Sequence, residues 1–302
     1  MNKKDNSIEF VIAGGLGNQL FMLCAGMYFA EWSGRKVSFD LSDLQRISTI
    51  HPGLNVYDLG LINEDQISVV NKKSVKGNLP KMASKVFARI ILILKNFFPS
   101  SFRKIDEIGY FDLLSIPESV NRVEGYFQTW RYFSELSKKP ILNFHSVTKP
   151  TSWYLKEQQS LQEKNYAALH IRRGDYTNPS NRANGILSVE YFQKVCNLLP
   201  PELEILIFTD SPGDISAELD MLDRRFRVIE PPMNSDPVES LLLMAQASHI
   251  AISNSTYSWW AATFAPESAV IFAPTKWFEL RDDPVDLLPN HWIKVQSEWK
   301  KQ

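Results

Sequence analysis

The sequence predicts an α/β fold of two parallel-sheet domains facing each other across a cleft, and three observations predict it. Short β-rich runs alternate with helical stretches along the chain, the rhythm a parallel sheet needs because every crossover takes a helix. At 302 residues and 44% apolar content the chain can fill two ordinary cores. Between the two patterned halves, residues 134–165 carry Pro140, Pro150 and many polar residues, which gives domains of 1–155 and 156–302.

Taken in order, the first unit is the strand Glu9-Phe10-Val11-Ile12-Ala13, the glycine-rich turn GGLGNQ (14–19) and a buried helix from Leu20 to Trp32. The stretch 72–104 then holds Lys72, Lys73, Lys76, Lys81, Lys85, Arg89, Lys95, Arg103 and Lys104 with no acidic residue among them. Lys81, Lys85 and Arg89 recur every four residues among Met82, Val86, Phe87, Ile90 and Ile91, so a helix here is basic and amphipathic. Two readings stand side by side for it: a surface helix covering the first core, or a peripheral contact with an anionic membrane.

The second half supplies strands at 166–172, 204–209, 226–229, 249–252 and 269–273. Its best-marked helix begins at Asp236-Pro237-Val238-Glu239, an N-cap carboxylate followed by proline at the first helical position and glutamate at the third. The segment 284–302, with Trp292 and Trp299, is expected to fold back on the first domain.

Composition excludes several classes. Lysine plus arginine (33) nearly balances aspartate plus glutamate (34), which does not suit a general nucleic-acid binder. Cys24 and Cys196 form neither a disulfide framework nor a metal-ligand spacing, in keeping with a reducing compartment. The longest apolar run, 86–94, contains Arg89 and is too short to span a bilayer. The chain opens without a continuous signal-peptide core, because Asp5, Glu9 and the glycines at 14, 15 and 17 interrupt it. The expectation is a cytoplasmic protein.

Four short motifs carry chemistry. In HIRRGDY (170–176), a strand sets His170 and Arg172 on one face and Ile171 and Arg173 on the other until Gly174 turns the chain. One arginine then reaches a cleft at the strand's carboxyl end while the other is tied to a carboxylate such as Asp175. Alone, two arginines after a strand read as surface salt bridges. In FTDS (208–211), Asp210 ends another strand, placed either to accept hydrogen bonds from a guanine or ribose, or to cap the turn Ser211-Pro212-Gly213.

In SNSTYSWW (253–260), Ser253, Asn254, Ser255, Thr256 and Ser258 crowd a strand-to-helix junction, where free N–H groups and a positive dipole end make a phosphate seat. Capping would use one of the five. GGLGNQ lacks the third glycine of a dinucleotide loop, since residue 20 is leucine, and no ribose-binding acid follows about 20 residues on. What remains is a turn that lets Asn18 or Gln19 approach a ligand across the cleft.

In this order, and joined by GYFQTWRYF (125–133) and PTKWF (274–278), these motifs resemble glycosyltransferase family 11, the α-1,2-fucosyltransferases, in its bacterial form. The resemblance covers most of the chain, and HIRRGDY is its specific element. It implies a GT-B fold of two Rossmann-like domains, a GDP-β-L-fucose donor held mainly by the second, inversion to an α-fucoside on O2 of galactose, and no metal or other cofactor. The partners it implies are GDP-fucose and a galactose-containing, lipid-linked glycan of surface polysaccharide or O-antigen, at the cytoplasmic face of the membrane.

Carried over by position, the resemblance makes Arg172 the ligand of the β-phosphate, with His170 and Asp175 shaping that loop as the rest of the catalytic set. On the donor side it puts Gly17, Asn18, Asp210, Ser253, Asn254, Ser255, Thr256 and Ser258, together with Arg173, which strand alternation instead makes a brace for the loop. Gln128 and Arg131 become candidate galactose contacts, while Tyr126, Phe127, Trp130, Tyr132 and Phe133 read first as core. Three rivals stand against this: a nicotinamide oxidoreductase using GGLGNQ, a non-catalytic sugar-nucleotide module, and a transferase of another linkage or deoxyhexose.

Overall fold

The computed structural model describes residues 6–47, 56, 58–62, 66, 101–141, 149–233 and 235–301. Most of the basic stretch 72–104, including its amphipathic pattern, lies outside them. Among the described residues, no helix is long and apolar enough to cross a membrane.

The first sheet is built from β1 (Ser7–Val11), β2 (Lys36–Asp40), β3 (Phe102–Lys104) and β4 (Arg122–Glu124), all parallel, in the order β2-β1-β4-β3. Helix α1 (Leu16–Ser33) crosses from β1 to β2 and ends on Gly34, whose left-handed φ of 67° lets its N–H return to the Ala30 carbonyl. Eleven residues of α1 are buried, Gly17 to Phe29, because it is apolar all round and is covered on every side. Its start differs from the sequence expectation: Gly14 (φ 77°) ends the strand early, so Gly17, Asn18 and Gln19 form the first helical turn rather than a loop.

Short helices α2 (Ser42–Ile47), α3 (Trp130–Glu135) and α4 (Ser152–Leu161) follow. The second sheet holds β5 (Tyr166–Ile171), β6 (Glu204–Thr209), β7 (Phe226–Val228), β8 (His249–Ala251), β9 (Val270–Pro274) and β10 (Ile293–Val295), again all parallel. Its helices are α5 (Val189–Leu198), α6 (Pro212–Leu219), α7 (Pro237–Ala245) and α8 (Thr256–Thr263).

The strand order is β10-β9-β8-β5-β6-β7. The chain therefore winds from β5 to one side through β6 and β7, returns to β5's other side, and winds outward through β8, β9 and β10. The carboxyl ends of β5 and β8 are thus the topological switch point, where open α/β sheets leave a crevice. HIRRGDY follows β5 and SNST follows β8, so two of the four motifs meet there for a topological reason.

Two local expectations change. Asp236 caps α7 as its sequence suggests, accepting from the Val238 N–H at 2.9 Å. Glu239, however, turns away from that cap and accepts from Thr151 N–H (2.6 Å) and Oγ1–H (2.9 Å), binding α7 to the start of α4. The tail divides: the carbonyls of Val285 and Asp286 accept from Tyr110 N–H (3.1 Å) and Trp130 N–H (3.0 Å) of the first half. Trp292 instead packs on Trp259 at 5.6 Å and Trp299 pairs with Leu187, because β10 finds a free edge on β9.

The two sheets share one hydrophobic core. At its centre Phe21 of α1 lies 4.5 Å from Trp259 and 4.9 Å from Trp260 of α8, ring centre to ring centre. Each buried indole finds an acceptor, Trp260 on the Gly17 carbonyl (2.8 Å) and Trp259 on the Leu287 carbonyl (2.9 Å).

Candidate active site

A cleft of about 950 Å³ opens between the halves at the switch point. The first half lines it with Gly14 to Gln19, Ile108, Tyr126 and Gln128, and the second with His170, Arg172, Asp175, Tyr176, Asp210, Ser255 and Thr256 among others.

Two helix N-termini converge on it. Helix α1 starts behind Gly15 and α8 behind Ser255, and neither N-cap uses its side chain. Both therefore present first-turn N–H groups and positive dipole ends to the cleft. Gly17 is what lets them meet: a Cβ there would lie 2.6 Å from the Thr256 carbonyl carbon and 2.7 Å from the Tyr257 nitrogen. Buried Gln19 braces this turn, donating to the Gly14 carbonyl (2.9 Å) and accepting from Val56 N–H (3.2 Å). Gln128 Nε2 donates to Asn18 Oδ1 at 3.0 Å, so those two residues face the cleft as a pair.

Strand β5 is buried along its whole length and stops at Ile171. His170, buried, shares a 2.8 Å hydrogen bond between its Nδ1 and Ser253 Oγ. Burial, with a smaller push from the Arg172 charge, lowers its pKa to about 3, so the ring is neutral at physiological pH. Arg172 turns into the cleft, where Asp210 Oδ2 accepts from Nη1 at 2.8 Å and Asp175 accepts from Nη2. Burial opposes the Arg172 charge, but Asp210 and Asp175 outweigh it and hold the guanidinium protonated above its ordinary range.

Arg173 goes the other way and does not line the cleft. It is 2% exposed, ion-paired with Glu218, and donates from Nη1 to the Arg172 carbonyl at 2.8 Å. It therefore stands apart from the other donor-side candidates, buried behind the cleft wall rather than on its lining. Asp210 is also busier than expected, accepting the Arg173 backbone N–H at 2.9 Å. It crowds Gly174, where a Cβ would come within 2.1 Å of its carboxylate.

Of the five polar residues at the β8–α8 junction, the cleft receives Ser255 and Thr256. Ser253 is held by His170, Asn254 Nδ2 donates to the Asn184 (2.9 Å) and Gly185 (3.2 Å) carbonyls, and Ser258 Oγ donates to the Ser255 carbonyl at 3.2 Å. Those three tie the junction together from behind rather than facing a ligand. Arg131 also falls outside the cleft lining. It lies over the Tyr110 ring at 3.7 Å and pairs with Asp286 (3.4 Å) and Glu135 (3.8 Å), bridging the first half to the tail.

The aromatic segment divides as well. Phe127 and Tyr132 are buried, but Tyr126 is 49% exposed on the cleft wall. Phe127 sits at φ 53°, a conformation bulky side chains rarely adopt, and this backbone turn carries Tyr126 and Gln128 to the same opening. Three buried polar atoms of lining residues have no hydrogen-bond partner, Arg172 Nε, Gln128 Oε1 and Ser235 Oγ, the condition of groups that a ligand satisfies.

Residues that sequence reasoning missed include Tyr176, Asn184 and Arg281. Tyr176 stood inside a quoted motif; the other two lie in segments without periodicity or motif, so nothing local marked them. Among the described residues no cluster of three or more His, Cys, Asp or Glu is spaced to hold a metal.

The family model for Glycosyl transferase family 11 matches residues 10–295. Among curated proteins, an Alpha-1,2-colitosyltransferase of Escherichia coli is 28% identical over 95% of this chain and 98% of its own length. The O-antigen biosynthesis glycosyltransferase WbnK of Escherichia coli is 23% identical over 94% and 99%. Among solved structures, the fucosyltransferase NodZ from Bradyrhizobium aligns at a TM-score of 0.44 with 13% identity, covering 87% of this chain and 95% of its own. With a single family model running from β1 to β10, the chain belongs to glycosyltransferase family 11.

Proposed function

We propose that this glycosyltransferase moves L-fucose from GDP-β-L-fucose to O2 of galactose in an acceptor glycan, with inversion and without a metal ion. The observation that carries the reading is the convergence of two N-termini without side-chain caps and the Arg172 guanidinium on one cleft. That arrangement suits an anion with several oxygens, which is what a nucleoside diphosphate leaving group provides.

As the bond from sugar C1 to the β-phosphate oxygen breaks, its electron pair stays on the oxygen, and negative charge grows there. A guanidinium already fixed by Asp210 and Asp175 stabilises that charge without having to reorganise. Asp210 and the turn around Gly174 stand at the nucleoside side. His170, neutral and held on Ser253, acts by positioning the strand end rather than by carrying a proton. An oxocarbenium-like transition state needs no strong base, so the acceptor hydroxyl loses its proton late, to solvent or to the departing phosphate.

Tyr126 and Gln128, on the opposite wall, are the acceptor-side candidates. The name of the O-antigen relative supports an acceptor in surface polysaccharide assembly. We place the enzyme at the cytoplasmic face of the membrane, with the 72–104 stretch as its contact. Flotation with anionic and neutral liposomes checks this, since salt-insensitive or absent binding removes the membrane from the proposal.

The experiment for the main reading measures GDP release from GDP-fucose with lactose or N-acetyllactosamine, followed by NMR of the product. An α-1,2-fucoside formed equally well in EDTA is the expected result. GDP bound without turnover would leave a non-catalytic module. The colitosyltransferase relative favours a second reading, in which the donor is GDP-colitose. Colitose is fucose without its 3-hydroxyl, and a site that hydrogen-bonds that hydroxyl rejects the deoxy sugar by a factor of about 10⁴, whereas an apolar one does not. The ratio of kcat/KM for the two donors decides.

A further inference from the structure

We propose that Arg281 is a second cation, beside Arg172, for the diphosphate of the nucleotide donor, an assignment that rests on the donor reading above. Among the described residues, three side chains of basic type line the cleft: His170, Arg172 and Arg281. His170 is buried and neutral. Arg172 faces two carboxylates, Asp210 and Asp175, so its surroundings are negative on balance before any ligand arrives. The two helix N-termini add only about half a charge each. A diphosphate carries more negative charge than that supply offsets. Arg281 has no carboxylate partner among the described residues, so its charge is uncompensated and adds to that of Arg172 at the diphosphate.

Arg281 is also held in place. Its guanidinium lies 3.6 Å from the centre of the Phe278 ring, and Nη2 donates to Asn184 Oδ1 at 2.7 Å. The loop that carries it is pinned to the 3₁₀ turn Pro179–Asn184 by Leu280 N–H on the Ala183 carbonyl (3.3 Å) and Glu279 N–H on the Asn184 carbonyl (3.4 Å). The nearby acid Asp283 is turned to backbone, accepting the Trp277 and Phe278 N–H groups at 2.9 Å each. One of the five guanidinium donors goes to Asn184, which leaves others for phosphate oxygens.

Its position relative to the phosphate seat follows from two short chains of contact. Asn184, which holds Arg281, accepts through its carbonyl from Asn254, the residue before the α8 N-cap. Tyr176 donates its hydroxyl to the Asn254 carbonyl at 2.8 Å, and the Arg172 guanidinium stands 5.5 Å from the centre of the Tyr176 ring. Burial, eased by the Arg172 charge and further by that of Arg281, pushes the Tyr176 phenol up to about 12, so it stays protonated between the two cations. Both arginines are thus anchored around the same junction, one compensated and one free.

The test is calorimetric titration of the whole protein and its Arg281→Ala and Arg281→Lys variants with GDP and with guanosine. The expected result is GDP affinity weakened about 10- to 100-fold in Arg281→Ala, with partial recovery in Arg281→Lys and guanosine affinity within about twofold of wild type. GDP affinity unchanged in Arg281→Ala, while wild type binds GDP well, overturns this assignment alone. So does a parallel loss for GDP and guanosine, which marks a disturbed fold, or a rise confined to acceptor KM. A wild-type protein that binds GDP no better than guanosine overturns the donor reading and this inference with it.

Discussion

At the residue scale, the adjacent arginines have opposite environments and should fail in different ways. Arg172→Ala removes the guanidinium from the cleft and is expected to lower kcat by about 10²–10³, the loss of one preorganised charge in the transition state. Its thermal stability should move less. Arg173→Ala leaves Glu218 without its buried partner and is expected to cost about 2–3 kcal/mol in a urea titration, toward the low end because Lys300 still reaches Glu218 at 2.5 Å. Equal kinetic losses in both variants would refute the division of labour.

His170 gives a pH prediction with a definite sign. Its pKa is about 3 in the folded protein and near 6.5 when unfolded, so between those values the unfolded chain binds the extra proton. Stability from this group is present above about pH 6.5 and is lost as pH falls toward 3. Urea midpoints measured from pH 7.5 to 5 should therefore decline, and His170→Asn should flatten that decline. The kcat profile over the same range should carry no inflection from His170, whose proton the proposed reaction does not use.

At the element scale, the close approach of α1 and α8 rests on the absence of one methyl group. Gly17→Ala would press a Cβ against the Thr256 and Tyr257 backbone, which cannot rotate aside as a side chain would. The expected cost is about 1–3 kcal/mol of stability by overpacking, and a larger loss of activity because both N-termini are displaced together. Thermal melts and GDP titration on the same variant separate the two effects. Near-normal activity would show that the convergence does not matter.

Legibility also varied by element. The central strands were readable because β5 is buried along its whole length, β6 is buried from Ile205 to Phe208, and β8 opens the buried apolar run Ile250-Ala251-Ile252. Strands β3, β4 and β10 are three residues each, and windows that short carry no periodicity. Helix α1 was placed late because its opening residues, Gly17 to Gln19, resemble a loop in composition and are helical only through packing against α8.

At the whole-molecule scale, the two sheets share a core that runs from Ile8 to Trp292, with the Phe21, Trp259 and Trp260 cluster at its centre. A shared core of this kind predicts one cooperative unfolding transition rather than two. Trp260→Phe keeps most of the ring but removes the indole N–H that reaches the Gly17 carbonyl, and should lower stability by about 1 kcal/mol. Differential scanning calorimetry checks both points. Two separated transitions in the wild type would mean that the halves fold independently.

The sequence by itself determined the α/β class, five of the six strands of the second sheet, and the motifs that end them. Those features are local: burial patterns, caps and turns are written in neighbouring residues. It also determined the family, because several motifs in fixed order are jointly specific. Only the tertiary structure decided which polar groups face the cleft. Ser253, Asn254 and Ser258 are chemically like Ser255 and Thr256, yet they are consumed by His170, by the 184–185 carbonyls and by their own helix. Arg172 and Arg173 have the same charge, but the partners Asp210 and Glu218 lie 38 and 45 residues away. Arg281, in a loop with no motif, enters the cleft only because β9 lies next to β8 in the sheet. Whether a charge is compensated depends on neighbours in space, and sequence order does not record them.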